Sequence, residues 1–128
     1  MKLNKVHHIA IIASDYARSL DFYTNVLGLS VVAENYRAER DSYKTDLALN
    51  DEYIIELFSF PNPPARVSRP EATGLRHLAF EVDDIDEAIR DLDAKGVSHE
   101  TIRTDEYTGK RFVFFEDPDK LPIEFYEK

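Results

Sequence analysis

The sequence predicts an α+β fold in which two β-α-β-β-β modules pair. Three observations lead there. Apolar and turn-forming segments follow the same order in both halves of the 128 residues. A stretch holding Pro61, Pro63, Pro64 and Pro70 separates the halves, and so many prolines exclude a helix or a central strand. Two pairs of polar residues recur at matching spacing: His8 and His77 are 69 positions apart, Glu56 and Glu124 are 68 apart. Their neighbours match too, His8-Ile9-Ala10 with His77-Leu78-Ala79, and Ile55-Glu56-Leu57-Phe58 with Ile123-Glu124-Phe125-Tyr126. One internal duplication explains all of this. Each module presents a sheet face that it cannot bury alone, so the modules are expected to pair. The reading is one domain over 1–128, with modules at 1–60 and 75–128 and a connector at 61–74 long enough to cover a site.

Each element has its own signal. Val6 to Ile12 is apolar and partly β-branched, which reads as a buried strand carrying His7 and His8. Ser14 and Asp15 suit the start of a helix near Tyr16; Leu20, Tyr23 and Leu27 form its stripe, and Gly28 stops it. Strands follow over about Leu29–Tyr36 and Tyr43–Leu49, and Asn50-Asp51 is the turn into a strand over Tyr53–Phe60. In the second half Leu75–Val82 reads as a strand. Asp84 caps the next helix, with Glu87 three positions on, Ile85, Ile89 and Leu92 as its stripe and Gly96 at its end. Strands are expected near Ser98–Thr104, Arg111–Phe115 and Pro122–Tyr126, the last preceded by an Asp117-Pro118-Asp119-Lys120 turn.

Composition narrows the function. A hydrophobic content of 43% supports a packed core. The absence of cysteine removes disulfides, thiolate metal sites and cysteine nucleophiles. No apolar run approaches the ~20 residues that span a bilayer, and the first residues lack a secretion signal, so a cytoplasmic protein without a membrane partner is expected. Twenty-five acidic residues against sixteen basic ones give a net charge of -9, which repels nucleic acid.

The four repeated polar residues carry the chemical argument. Strand alternation puts His8 with Ala10 and Ile12, Glu56 with Ile54 and Phe58, and His77 with Leu75 and Ala79; Glu124 falls between Pro122 and Tyr126. A carboxylate in apolar surroundings is costly unless it is paired, protonated or metal-bound. Two imidazoles and two carboxylates aimed into one cavity solve that together, and they suit zinc, nickel, iron, cobalt or manganese. The alternative is two hydrogen-bonded core histidines and two edge glutamates.

The segments Val6–Ile11, Ser19–Leu29, Gly74–Asp84, Phe115–Asp119 and Ile123–Phe125 resemble the vicinal oxygen chelate superfamily, which contains glyoxalase I, bleomycin-resistance proteins and extradiol dioxygenases. The His8, Glu56, His77, Glu124 set is most similar to glyoxalase I, lactoylglutathione lyase. The resemblance implies that the two modules pair into a cupped mixed sheet, and a homodimer with one divalent ion per site, nickel, zinc, cobalt or manganese. That ion is held by His8 and Glu56 of one module with His77 and Glu124 of another, from the same chain or its partner. It also implies that Glu124 is the catalytic base and Glu56 its counterpart, in a non-redox isomerisation of a small substrate with two adjacent oxygens.

Two positions depart from glyoxalase I. Ile12 stands where an arginine usually holds a glutathione carboxylate, and Phe60 where an asparagine is usual, so a substrate other than a glutathione adduct is expected. Arg37, Arg40, Arg66, Arg69, Lys110 and Arg111 are replacement candidates for anion binding, and Tyr43, Phe58 and Phe60 are candidate pocket-lining residues. Within the same resemblance, a metal-dependent dioxygenase or a non-catalytic drug-binding module is the alternative.

Overall fold

The structure is a computed structural model that describes residues 1–128. Two compact units divide the chain, at 1–65 and 66–128. Each contains one four-stranded mixed sheet and one main helix, and the first adds a short 3-10 turn at Ala38–Arg40.

In the first unit β1 (Ile9–Ala13) leads into α1 (Tyr16–Asp21), followed by β2 (Ser30–Arg37), β3 (Ser42–Leu49) and β4 (Glu52–Ser59). The sheet order is β1-β4-β3-β2, with β1 and β4 parallel and the other neighbours antiparallel. The second unit repeats this order with β5 (Leu78–Val82), α2 (Ile85–Ala94), β6 (Arg103–Thr104), β7 (Arg111–Glu116) and β8 (Pro122–Glu127), arranged β5-β8-β7-β6. The parallel pair β5·β8 matches β1·β4 even in register: Ala10 is opposite Glu56, and Ala79 is opposite Glu124.

In both units alternation assigns one sheet face to the helix and leaves the other open. Ile11, Ala13, Leu47, Ile55 and Leu57 are buried on the helix side of the first sheet, together with Phe22 and Tyr23. Val113, Phe115 and Ile123 are their counterparts in the second unit, under Ile85 and Leu92. The caps follow the sequence. Asp15 accepts from the Arg18 amide, and Asp84 accepts from the amides of Asp86 and Glu87. Asn50 and Asp51 both adopt positive φ, 49° and 65°, the twist a two-residue hairpin needs.

Four expected elements differ. The first and fifth strands begin at Ile9 and Leu78, so His8 and His77 each immediately precede their strand. Val6 and Leu75 are exposed rather than buried, because nothing in the sheet pairs with the chain ahead of the histidines. The first helix is α-helical only to Asp21 and continues as a π-helical turn over Phe22–Val26, closed by a Leu27 amide to Phe22 carbonyl bond. Thr24 Oγ1 donates to the Leu20 carbonyl four residues back, which draws that acceptor out of the regular ladder. The expected strand over Ser98–Thr104 shrinks to Arg103–Thr104 and one bridge at His99. There the Glu100 carboxylate accepts the Phe114 amide at 3.2 Å, so a side chain takes the place of a ladder carbonyl.

No helix or strand forms between Ser59 and Leu78. Arg66 ties part of this segment down, donating to the carbonyls of Leu75 (2.6 Å) and Arg76 (3.0 Å) and to Ser68 Oγ (2.9 Å).

Candidate functional site

The open face of the first sheet holds one histidine–glutamate pair. Glu56 lies mid-strand on β4, flanked by Ala10 of β1 and Asp46 of β3. Its side chain is 15% exposed, and Oε1 stands 3.8 Å from His8 Nε2. Ala10 has only a methyl group, which leaves space beside the carboxylate. Three further groups surround this pair. Lys44 Nζ bridges Glu56 Oε2 at 3.2 Å and Asp46 Oδ1 at 3.0 Å. The Tyr53 hydroxyl donates to Glu56 Oε2 at 3.3 Å, and its ring stacks on His8, centroids 5.3 Å apart and 5° from parallel. His7 and His8 approach through their Nδ1 atoms at 2.8 Å. Burial pushes the Tyr53 phenol upward first, and the nearby Asp46 and Glu56 carboxylates push it further, so Tyr53 stays a hydrogen-bond donor throughout the working pH range. The Lys44 ammonium is held protonated chiefly by its hydrogen bond to Asp46.

The second unit repeats the arrangement with different neighbours. Glu124 is buried on β8 between Ala79 and Phe114, its side chain 12% exposed, with Oε2 at 3.1 Å from His77 Nε2. The His77 ring meets Phe114 edge-on at 5.0 Å, and Arg76 Nη1 lies 3.2 Å from its Nδ1. Phe114 thus stands opposite Glu124 where Asp46 stands opposite Glu56, which makes this the more apolar of the two pairs.

Each half offers one imidazole nitrogen and one carboxylate, the donor chemistry of a borderline divalent ion. Both His Nε2 atoms face the carboxylate of their own pair, and both pairs have a small alanine alongside. The donor set therefore fits a metal. Within the chain no three His, Cys, Asp or Glu side chains gather in an arrangement that holds an ion. Each unit thus carries one such pair, His8 with Glu56 and His77 with Glu124.

The other predicted site residues fall in several places. Phe58 shares the open face with Glu56, opposite Ile12 and Lys44. Phe60 follows it, the two rings stacked at 5.7 Å. Arg37 lies over both rings. Tyr43 is elsewhere: it stacks on Tyr16 of α1 at 4.1 Å and against Tyr36, on the helix side of the sheet. Arg111 also points to the helix side, paired with Glu127 at 2.7 Å and Asp86 at 3.1 Å. Lys110 Nζ donates to the Lys128 carbonyl. The strand alternation that separates Tyr43 and Arg111 from the glutamates was available in the sequence. Lys44, Asp46 and Tyr53 were not singled out there, although Lys44 and Asp46 share one face of β3 by the same rule.

A repeated βαβββ unit with a histidine ahead of its first strand and a glutamate on its last defines the class. The model of the Glyoxalase/Bleomycin resistance protein/Dioxygenase superfamily matches residues 5–125, and the chain belongs to that family. It is 64% identical over 126 residues to the uncharacterized protein YaeR of Escherichia coli strain K12, covering 98% of each. It is 60% identical to the uncharacterized protein YwkD of Bacillus subtilis strain 168 over the full length of both. The crystal structure of a glyoxalase family protein from Enterococcus faecalis shares 46% identity with a TM-score of 0.91, covering 99% of this chain and all of that one. More distant relatives carry different activities. A lactoylglutathione lyase of Schizosaccharomyces pombe is 28% identical, over 97% of this chain and 47% of its own length. A mitochondrial methylmalonyl-CoA epimerase of Dictyostelium discoideum is 29% identical, over 74% of this chain and 59% of its own.

Proposed function

We propose that the chain is a divalent-metal-dependent lyase or isomerase of the glyoxalase type, acting on a small molecule with two adjacent oxygen atoms. The observation that carries this reading is the repeated His–Glu pair, His8 with Glu56 and His77 with Glu124, each carboxylate set beside an alanine on an open sheet face. The support over a structural role is that both units set a largely buried glutamate beside a histidine at matching positions.

His8, Glu56, His77 and Glu124 would hold the ion, with nickel, zinc, cobalt and manganese as candidates. Bound there, the ion supplies Lewis-acid stabilisation of the charge that develops on the substrate oxygens. Glu124 takes the proton from one substrate carbon and returns it to the adjacent carbon, and no electrons leave the substrate. Phe114 and Phe58 exclude water from the reacting atoms. Tyr53 fixes one oxygen of Glu56 through its hydroxyl and leaves the other to face His8. The reading includes a homodimer, as in glyoxalase I, with His8 and Glu56 of one chain meeting His77 and Glu124 of its partner. Its support is the exposure of Val6 (77%) and Leu75 (52%), each two residues ahead of a ligand histidine. A cytoplasmic location belongs to the same reading; no helix is long and apolar enough to cross a membrane. Ile12 and Phe60 argue against a glutathione adduct as the substrate.

Lys44 favours a second reading. Its ammonium already lies 3.2 Å from Glu56, a resident cation where an ion would bind, and that suits a small-molecule binding module of the same family. Elemental analysis of untagged protein separates the two. The metalloenzyme reading expects one ion per His2Glu2 set, lost in His8→Ala and in Glu124→Ala, and turnover of hemithioacetals of non-glutathione thiols. Wild-type protein that stays empty after reconstitution with nickel, zinc and manganese would overturn it in favour of the binding module.

A further inference from the structure

Arg37 closes β2 and extends over the open face of the first sheet. Its guanidinium carbon is 5.2 Å from the Phe58 ring centroid and 5.9 Å from that of Phe60. Nη2 donates to Ser42 Oγ at 2.9 Å. Nε is buried and has no hydrogen-bond partner. No carboxylate neutralises the group, in a chain whose net charge is -9.

The second unit provides the contrast. Arg103, also on an edge strand, lies over Phe112 at 4.9 Å and Phe114 at 5.5 Å. Its charge is met from within the chain, since Glu100 Oε1 takes Nη2 at 2.8 Å and Nε at 2.9 Å. The aromatic bed is the same kind in both units, and the acid is supplied in one of them only.

A partly desolvated guanidinium with an orphaned N–H is costly until an acceptor arrives. The two phenylalanines hold the guanidinium in place, and the planar fork of arginine is matched by the two oxygens of a carboxylate or phosphate. Phe58 lies two residues beyond Glu56 on the same strand face, a displacement of roughly 7 Å at the usual strand rise. We propose that Arg37, seated on Phe58 and Phe60, is the anchor for a carboxylate or phosphate carried by the substrate, roughly two strand residues (about 7 Å) from the atoms that Glu56 faces. The placement relative to Glu56 rests on the metal-dependent reading above; the oxyanion site itself does not.

The test uses the full chain after chelator treatment, so that it does not depend on metal. Inorganic phosphate and succinate are titrated separately while the 1H–15N signal of the Arg37 Nε–H is followed by NMR. The expected result is a saturable shift of that signal with at least one of the two. In Arg37→Met the affinity, followed on neighbouring amide signals, is expected to fall by about tenfold or more, and Arg103→Met is expected to leave it unchanged. A response to phosphate alone identifies a phosphoryl ligand, and a response to succinate alone a carboxylate. No saturable response to either, or equal affinity in Arg37→Met, overturns the proposal. Arg37→Lys, which keeps the charge and loses the fork, serves if Arg37→Met fails to fold: the same loss of affinity is then expected, and wild-type affinity in Arg37→Lys overturns the proposal. An empty metal site combined with a saturable Arg37 response would remove the metalloenzyme reading and leave this one standing.

Discussion

Replacing Glu124 by methionine separates what this carboxylate does for stability from what it does for function. Glu124 is buried between Ala79 and Phe114, and its polar contact is His77 Nε2 at 3.1 Å. Methionine keeps the length and places a thioether against Phe114. The loss is one charge-assisted contact, about 1.5–3 kcal/mol, and His77, whose side chain is 27% exposed, keeps access to water as a replacement partner. The gain is the burial of roughly two apolar groups, about 1.5 kcal/mol, together with relief of the carboxylate's desolvation, a further one to several kcal/mol. The expected balance in metal-free protein is neutral to stabilising, by about 0–2 kcal/mol, or a rise in Tm of up to about 7 °C for a chain of this size. The assay is urea unfolding of chelator-treated wild type and Glu124→Met, repeated with excess nickel or zinc. Metal should raise the stability of the wild type and leave the variant unmoved, since only a protein that binds the ion gains from it. A loss of more than about 2 kcal/mol without metal would make Glu124 a structural residue and refute the reasoning.

Tyr53→Phe keeps the ring stacked on His8 and removes the donor to Glu56; metal affinity is expected to fall about 10–100-fold in a chelator competition, with stability changed by about 1 kcal/mol or less. Asp51→Gly should stabilise the chain by about 0.5–1 kcal/mol in urea unfolding, because Asp51 adopts φ 65° in a two-residue hairpin where glycine carries no steric penalty. His99 accounts for a pH dependence. Its ring nitrogens meet the Glu100 carbonyl and the Asp93 carboxylate, both at 2.7 Å, which raises its pKa, the carbonyl contributing most. Its contribution to stability is therefore full below the ordinary histidine value of 6.5 and lost as pH rises through the higher folded value. Thermal unfolding across that window should flatten in His99→Gln, and an unchanged slope would count against the assignment.

The repeat arithmetic was the most legible part of the sequence. Periodicity gave the element order, and the matching spacing of His8, Glu56, His77 and Glu124 foreshadowed the matching register of the parallel pairs, Ala10 opposite Glu56 and Ala79 opposite Glu124. Local chemistry was legible as well: Asp15 and Asp84 at the helix starts and Asn50-Asp51 in the hairpin act through their own backbone neighbours. The strand start at Ile9, the π turn at Phe22 and the short β6 were not legible. Each depends on whether a partner strand or a competing side chain is present: none pairs with Val6, Thr24 takes a carbonyl, and Glu100 takes an amide.

The sequence by itself pointed to the family, through the resemblance of its segments, to the doubled βαβββ order, and to the matching placement of His8, Glu56, His77 and Glu124 in the two halves. Only the tertiary structure decided which charges meet. Arg111 and Arg37 look alike in sequence, yet one is paired by Glu127 and Asp86 on the helix side while the other lies unpaired on two phenylalanines. Likewise Tyr53 and Lys44, rather than Tyr43, are the neighbours of Glu56. The physical reason is that electrostatic and aromatic contacts act through space over a few ångströms. Those distances are set by strand pairing and by the face each side chain takes, which spacing along the chain fixes only once the register is known.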